Sequence, residues 1–480
     1  MSSANGSYRH ILKYTGIFGG IQAVSMLASI LRNKAAALLI DRYGQGLADL
    51  FSNTANLIST ATSLVMPVSV VRRLSSLYER HGDGSRELVE EIRVVRSWSV
   101  LTGLVAMVIV LVAAPLLSTI TMGGGHFTRS YMFLSPMLVL MSVNGTEVAI
   151  LKATRRLRPL AVASVLGAVA TLVACVVCYW LWNLRGIVIS LNLSLLAVMA
   201  LNMCFTLRAY PYSAAPLRWG VLRRGGPLIK LSIAFMLASV AAALAEMVIR
   251  SFVANHGSIE DVGLYGAGFV LTVTYTRFIF SAMDADFYPR LSGIVDDVRQ
   301  MNTAINRQVV VCVLIIVPCL MLFTLFLPQV VCFLYRPEYL EIVPMVMCAT
   351  LFMFSKAVST PVAYTALAKG DSRMFLIIES VGALLLGGFV IAGYSSGGLM
   401  GSGIGLTLSN VVELLLIVVV YNRTYGVLLY GSTVRVIVLQ LLLLVIALLC
   451  IAYIGNDVVR YPAVIAMVAL SAFFAWRKLH

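Results

Sequence analysis

Apolar residues fill most of the chain in long runs that short polar segments separate. A helix of about 20 apolar residues crosses the hydrocarbon core of a bilayer. The runs therefore predict an all-α polytopic membrane protein with about 14 transmembrane helices. The predicted bounds are 11–31, 46–70, 98–121, 131–151, 160–182, 187–207, 229–250, 263–286, 308–334, 342–366, 375–395, 400–421, 434–454 and 460–476.

Composition excludes an ordinary soluble enzyme. Hydrophobic residues make up 60% of the 480 residues and charged residues only 12%, and the mean hydropathy is +0.92. Soluble proteins are usually about 45–50% apolar and about 25% charged. The first apolar run is too long for a cleavable signal and no small-x-small site follows it, so we expect it to be the first span.

The distribution of basic residues predicts the topology. The chain holds 36 Lys and Arg against 21 Asp and Glu, a net charge of +15. Nucleic-acid binding is one explanation, and the enrichment of Lys and Arg in cytoplasmic loops is the other. The termini and even-numbered loops hold 26 basic residues, whereas the odd-numbered loops hold 6. This alternation predicts an even number of spans with both termini cytoplasmic, and no nucleic-acid partner.

An internal repeat relates the two halves of the chain at an offset of 217 residues. The matched pairs are Lys13 with Lys230, Arg73 with Arg290, Lys152 with Lys369, Arg156 with Arg373, and Gly186 with Gly403. Because the six-span unit is even, both copies have the same orientation in the membrane. The repeat predicts an N-lobe of helices 1–6 (1–215), a C-lobe of helices 7–12 (216–425) and two C-terminal helices (426–480).

Polar side chains form stripes on several spans, although each costs free energy in hydrocarbon. The stripes are Gln22, Ser25, Ser29 and Arg32 in span 1; Asp49, Ser52, Asn53, Asn56, Thr60 and Ser63 in span 2; Ser232, Ser239, Glu246 and Arg250 in span 7; Thr274, Arg277, Ser281 and Asp284 in span 8; and Lys356 and Thr360 in span 10. At about 100° per residue each stripe shares one helix face. Single polar residues can act as contacts between helices, but corresponding stripes in both halves predict a wet central cavity.

The chemistry of these side chains gives each a candidate role. The substrate-binding candidates are Arg32, Arg250, Arg277 and Lys356, with Gln22, Ser52, Asn53, Asn56 and Thr60. The ion-coupling candidates are Asp49, Glu246 and Asp284. Two alternatives stay open: Glu246 and Arg250, spaced i and i+4, can neutralise each other, and basic residues near the outer end of span 1 can extend to the interface. Glu147, Glu379 and Glu413 can bond polar neighbours or carry protons.

No sequence pattern indicates a catalytic centre, a cofactor or a metal site. Cys175-x-x-Cys178 has metal-ligand spacing but lacks a second pair or a histidine, and cysteine in an apolar helix is usually a packing residue. Asp284 and Asp286 point about 200° apart on a helix and cannot share a metal there. There is no P-loop, so we expect no ATP hydrolysis by that route.

The start of the chain resembles the polysaccharide transporters of the multidrug/oligosaccharidyl-lipid/polysaccharide exporter superfamily, and O-antigen flippases above all. The resemblance lies in Lys13-Tyr-Thr-Gly16, Gln22, Ser29-Ile-Leu-Arg32-Asn-Lys34 and Tyr43-Gly-Gln-Gly-Leu-Ala-Asp-Leu-Phe51. Gly44, Gly46, Asp49 and Phe51 also match a pattern of peptidoglycan-precursor flippases, which likewise have fourteen helices. Family cavities carry basic residues on helices 1 and 8, where Arg32 and Arg277 are found.

The resemblance implies a flippase of undecaprenyl-pyrophosphate-linked oligosaccharide in the bacterial inner membrane. Its partners would be the lipid-linked oligosaccharide, the bilayer and other polysaccharide-assembly proteins. Two six-helix lobes would alternate between inward and outward openings, driven by an ion gradient. A multidrug or metabolite cation antiporter of the same superfamily is the main alternative. A membrane-embedded polysaccharide polymerase is a second alternative, which the short outer loops disfavour.

Overall fold

The computed structural model describes residues 27–63, 67–211, 226–276, 287–288 and 290–479. Every regular element in these ranges is a helix, which confirms the all-α prediction. By contacts the chain forms two compact units, unit 1 at Met1–Val262 and unit 2 at Gly263–His480.

Unit 1 is built mainly from long helices. They are α1 (27–39), α2 (Asp41–Thr62), α3 (Pro67–His81), α4 (Arg86–Met122), α5 (Thr128–Leu134), α6 (Pro136–Ala153), α7 (Leu157–Trp182), α8 (Gly186–Ala209) and α9 (Gly226–His256). A further helix, α10 (Ile259–Phe269), begins in unit 1 and continues into a π-helical turn at Val270–Thr274.

The first two spans differ from their predicted bounds. The first predicted span ends at residue 31, but α1 continues to residue 39 and α2 begins at Asp41. Gly44 permits this sharp connection, because a Cβ there would lie 2.6 Å from Cβ of Ile40. The second predicted span, 46–70, is divided, since α2 ends at Thr62 and α3 begins at Pro67.

The charged connection after the second predicted span is divided between two helices. α3 ends at His81 and α4 begins at Arg86. Gly82 and Gly84 both have positive φ, 82° and 73°, a conformation that glycine adopts without a side-chain clash. α4 then continues through the third predicted span as one helix of 37 residues.

Unit 2 contains five long helices within the described residues, together with a short one. They are α11 (Val298–Leu325), the short α12 (Leu327–Leu334), α13 (Val343–Ala368), α14 (Ser372–Tyr425), α15 (Gly431–Tyr453) and α16 (Asp457–Leu479). α14 is bent at Gly397 and Gly398, whose backbone angles are not helical. Its two arms match the predicted spans 375–395 and 400–421.

Glycines bring the two arms of α14 into close backbone contact. A Cβ on Gly393 would overlap the carbonyl oxygen of Gly401, and a Cβ on Gly401 would overlap that of Gly393. A Cβ on Gly405 would likewise overlap the carbonyl oxygen of Phe389. Small residues permit such packing between membrane helices, where apolar burial provides little attraction. Gly393, Gly401 and Gly405 therefore allow the two arms to pack closely.

Eight stretches of the described chain are long and apolar enough to cross a membrane. Two of them, Arg158–Ala209 and Ser372–Tyr425, contain 52 and 54 residues, and each comprises two arms. α2 and α9, with 22 and 31 residues, also have the length needed to span about 30 Å. These helices are consistent with the predicted multi-spanning fold.

The C-terminal helices α15 and α16 pack against α11 in unit 2. Val436 of α15 and Ala475 of α16 form a buried cluster with Leu314 of α11. Ser471 also donates a hydrogen bond to Gln440 at 2.7 Å. The three predicted divisions, 1–215, 216–425 and 426–480, rest on the sequence repeat and stay a prediction. By contact, α9 belongs to unit 1.

Candidate transport site

The two faces of α2 have different environments. One face contributes Leu47, Phe51 and Ala55 to the core of unit 1, and Thr54 lies 3.3 Å from the Tyr131 hydroxyl. The predicted polar stripe occupies the less buried face, where Asp49, Ser52, Asn53 and Thr60 are partly buried and Asn56 is exposed. The stripe therefore remains outside the core of unit 1.

A second set of charges lies on α9, which packs against α2. Nη1 of Arg250 lies 3.4 Å from Oε2 of Glu246 and donates to the Glu246 carbonyl oxygen at 3.2 Å. The expected i, i+4 pairing of these residues is confirmed. The Arg250 side chain is only 6% exposed and that of Glu246 is 21% exposed, so the guanidinium is held in place while the carboxylate stays accessible.

Asp49 of α2 interacts electrostatically with charges on two other helices. The positive charge of Arg250 in α9 attracts the Asp49 carboxylate most strongly, followed by that of Arg32 in α1. The negative charge of Glu246 repels the Asp49 carboxylate. The structure thus brings Arg32, Asp49, Glu246 and Arg250 into one charged cluster, which we call the α2–α9 cluster. Two cations and two anions give it a formal charge near zero.

The α2–α9 cluster can exchange its internal partners for external ones. Arginine presents several N–H donors in a planar arrangement that suits carboxylate and phosphate oxygens. A buried guanidinium that loses its counter-charge is costly, so an incoming anion can take the place of Glu246 beside Arg250. Ser52, Asn53, Asn56 and Thr60 add donors and acceptors along the adjacent face of α2.

Lys356, predicted as a substrate-binding cation, lies in a separate cluster within unit 2. Its Nζ is 3.2 Å and 3.5 Å from the two carboxylate oxygens of Glu413. Nδ2 of Asn410 donates to Glu413 at 2.9 Å, and the Ser355 hydroxyl donates to Asn410 at 2.6 Å. We call these four residues the α13–α14 cluster. Lys356 is therefore paired, not isolated.

Three predicted site residues, Gln22, Arg277 and Asp284, lie outside the described residues. Arg42, near the predicted outer end of the first span, forms an ion pair with Glu260 at 3.2 Å. Close by in the chain, Asn255 donates to the carbonyl oxygen of Ile120 at 2.8 Å. These contacts tie the end of α9 and the start of α10 to α2 and α4.

The sequence pattern does not predict a buried network that includes Arg96, which is one of the 26 basic residues assigned to the termini and even-numbered loops. Arg96 and Glu147 form an ion pair with side chains 6% and 1% exposed. Beside it, the Tyr210 hydroxyl donates to Asp83, which also pairs with Arg156 at 2.9 Å. Burial, followed by the hydrogen bond to Asp83, raises the pKa of Tyr210 to about 12. A carboxylate inside an apolar span was the available signal, because such a group needs a partner.

Comparison with protein families gives one match that covers more than half of the chain. A family model described as polysaccharide biosynthesis protein matches residues 84–344. No curated protein matches the chain by sequence.

Solved membrane transporters share the fold. The lipid II flippase MurJ in an inward closed conformation is 12% identical, with a TM-score of 0.70 over 98% of this chain and 99% of that one. A multidrug resistance MATE family transporter of the MOP superfamily, inward-facing, is 16% identical, with a TM-score of 0.65 over 84% and 94%. A MOP superfamily transporter from Pyrococcus furiosus is 14% identical, with a TM-score of 0.61 over 86% and 96%. At these identities the likeness shows the fold alone.

Proposed function

We propose that this chain, which belongs to the polysaccharide biosynthesis protein family, is a flippase for a lipid-linked oligosaccharide. The cargo would be an undecaprenyl-pyrophosphate-linked repeat unit of O-antigen or another surface polysaccharide. Transport would proceed from the cytoplasmic to the outer leaflet of a bacterial inner membrane, with both termini in the cytoplasm. The family and the fold are those of transporters, so we expect no covalent chemistry on the cargo.

One observation carries the proposal: two arginines and two carboxylates from three helices meet beside the polar face of α2. A lipid pyrophosphate cannot cross hydrocarbon unaided, because its charges and the attached hydroxyls would lose their water. Arg250 and Arg32 supply positive charge for the pyrophosphate or for acidic sugars. Asn53 and Asn56 supply hydrogen bonds for sugar hydroxyls.

Coupling to an ion gradient follows from the same cluster. When Arg250 and Arg32 bind an anionic cargo, the carboxylates of Asp49 and Glu246 lose part of their compensation. A proton or a sodium ion can then restore the charge balance, because an uncompensated charge is costly in a poorly solvated site. Asp49 and Glu246 are therefore the coupling groups in this proposal. Alternation of the two repeats would then expose the cargo to the other side.

The test is depletion of the protein in its own host, followed by extraction of lipid-linked oligosaccharides. We expect complete repeat units to accumulate on undecaprenyl pyrophosphate while surface polysaccharide falls. The control is the depleted strain complemented with the wild-type protein. If neither pool changes, and the host has no second flippase, the flippase assignment fails and the antiporter becomes the better candidate.

A further inference from the structure

The α13–α14 cluster has a feature that a static packing contact does not need. Glu413 is 17% exposed and Lys356 is 30% exposed, whereas Ser355 and Asn410 are 4% and 1% exposed. The amide and the hydroxyl thus form a buried base for the carboxylate. The Lys356 side chain is the most exposed of the four. Its four-carbon stem lets it move without any change in the backbone.

The contacts of the two charged groups differ in strength. The Glu413 carboxylate accepts from Asn410 at 2.9 Å as well as from Lys356, and Gly382 leaves space for it, since a Cβ there would lie 3.2 Å from Oε1. Apart from Glu413, the Lys356 ammonium has the Phe352 ring, whose centroid is 6.0 Å from Nζ. The Glu413 carboxylate is therefore held in place by Asn410. The Lys356 ammonium, in contrast, is held mainly by the negative charge of that carboxylate.

A proton on Glu413 removes that charge. The neutral acid can still accept from Asn410, so its position is preserved. The Lys356 ammonium, however, loses its counter-ion in a poorly solvated setting, where an unpaired charge is costly. A phosphate oxygen that reaches the exposed part of the Lys356 side chain then becomes the best partner of the ammonium.

We propose that Lys356 and Glu413 form a proton-switched anion site, in which protonation of the Glu413 carboxylate releases the Lys356 ammonium to bind a phosphate group of the cargo. The proposal deepens the proposed function and rests on it for the identity of the cargo. One proton enters on Glu413 for each phosphate group that Lys356 binds, and it leaves when the ion pair re-forms. The site would thus link cargo binding to a proton gradient through unit 2.

Other titratable groups near Glu413 are few among the described residues. Lys356 faces it from α13, Glu379 lies on the first arm of α14, and Tyr421 lies on the second arm. Glu379, Asp371 and Glu413 all act electrostatically on Tyr421. Glu379 therefore needs a control variant of its own.

The experiment measures binding of farnesyl pyrophosphate to the full-length purified protein between about pH 5 and about pH 8. Wild-type protein should bind more tightly as the pH falls and should take up protons on binding. Glu413→Gln mimics the protonated acid, so it should bind tightly at every pH without that proton uptake. Lys356→Gln should bind about tenfold more weakly or worse at every pH, since a charge-assisted hydrogen bond is lost.

Two matched variants control for general effects. Lys369→Gln removes a lysine at the end of α13, whose ammonium donates to the Val295 carbonyl oxygen. Glu379→Gln removes a carboxylate on the first arm of α14. Both should keep the wild-type pH dependence. Titration of the ligand itself is common to all variants and cancels in the comparison with wild type.

The outcomes separate this proposal from the proposed function. The switch would be overturned if Glu413→Gln kept the wild-type pH dependence or if Lys356→Gln bound with unchanged affinity. It would also be overturned if the wild-type protein failed to bind farnesyl pyrophosphate. Unchanged lipid-linked oligosaccharide after depletion would overturn the flippase but leave the switch standing. If depletion blocks export while Glu413→Gln binds as wild type does, only the switch fails.

Discussion

Arg96 and Glu147 form a two-point ion pair inside unit 1. Nε of Arg96 lies 2.8 Å from Oε1 of Glu147, and Nη2 lies 2.9 Å from Oε2. The remaining nitrogen, Nη1, donates to the carbonyl oxygen of Tyr210 at 3.0 Å, and the Thr206 hydroxyl donates to Glu147. The pair therefore joins α4, α6 and the end of α8 at a single point.

We predict that Glu147→Ala strongly destabilises the protein. The substitution leaves the Arg96 guanidinium buried without its counter-charge, a loss that costs about 3–5 kcal/mol in comparable pairs. The apparent melting temperature of the detergent-purified protein should fall markedly. Glu90→Ala is the control, because it breaks the Arg86–Glu90 pair, whose side chains are 90% and 41% exposed. Similar melting temperatures for the two variants would contradict the prediction.

The α2–α9 cluster predicts a loss of transport without a loss of protein. Arg250→Ala and Arg32→Ala should each reduce export of surface polysaccharide about tenfold or more, because each removes a charge-assisted contact to the cargo. Membrane abundance should match wild type. Arg185→Ala, which changes an exposed arginine in the turn between α7 and α8, should export normally. Normal export by both cluster variants would rule out their proposed role.

The glycine contacts within α14 predict a position-specific effect on stability. Gly393→Ala places a methyl group against the backbone carbonyl of Gly401, and such overpacking costs about 1–3 kcal/mol. Gly388→Ala lies on the same arm, where a Cβ meets nothing within 4 Å, and should be neutral or slightly stabilising. The measurement is the melting temperature of each variant by thermal unfolding, compared with that of wild type. Equal melting temperatures for the two variants would contradict a role for arm packing at Gly393.

The sequence predicts the helices of this fold well, because apolar runs reflect the thickness of the bilayer. The predicted spans 187–207 and 342–366 correspond to α8 and α13 within a few residues. Apolar length carries no information about bends and turns, however. The early start of α2, directly after α1, depends on Gly44, and the division between α3 and α4 depends on Gly82 and Gly84.

The sequence predicts which residues form the candidate site, but it does not predict which of them form ion pairs between helices. Helical phase correctly groups the polar face of α2 and pairs Glu246 with Arg250, since both relations lie within one helix. The partner of Lys356 is Glu413, 57 residues away, and the partner of Glu147 is Arg96, 51 residues away. Such contacts depend on which helices are neighbours, and a single sequence does not specify that.

The start of α14 predicts a pH-dependent contribution to stability from Asp371. Its carboxylate caps the helix by accepting from the Met374 N–H at 2.9 Å, and it also accepts from the Tyr425 hydroxyl at 2.8 Å. The backbone hydrogen bond from Met374, followed by the hydrogen bond from Tyr425, lowers the pKa of Asp371 below its usual value. The folded protein therefore favours the charged form more than the unfolded chain does.

The sign of the effect follows from that lowered pKa. Asp371 contributes its stabilisation at pH values above the unfolded pKa of about 3.9, and the contribution is lost as the pH falls through the folded value. Asp371→Asn keeps a capping side chain but removes the charge. Its melting temperature should lie below that of wild type at about pH 7 and approach it at about pH 3. Tyr425→Phe, which removes one of the two donors, should show a smaller gap of the same sign. A gap for Asp371→Asn that stays constant with pH would mean that the charge of Asp371 does not stabilise the folded state.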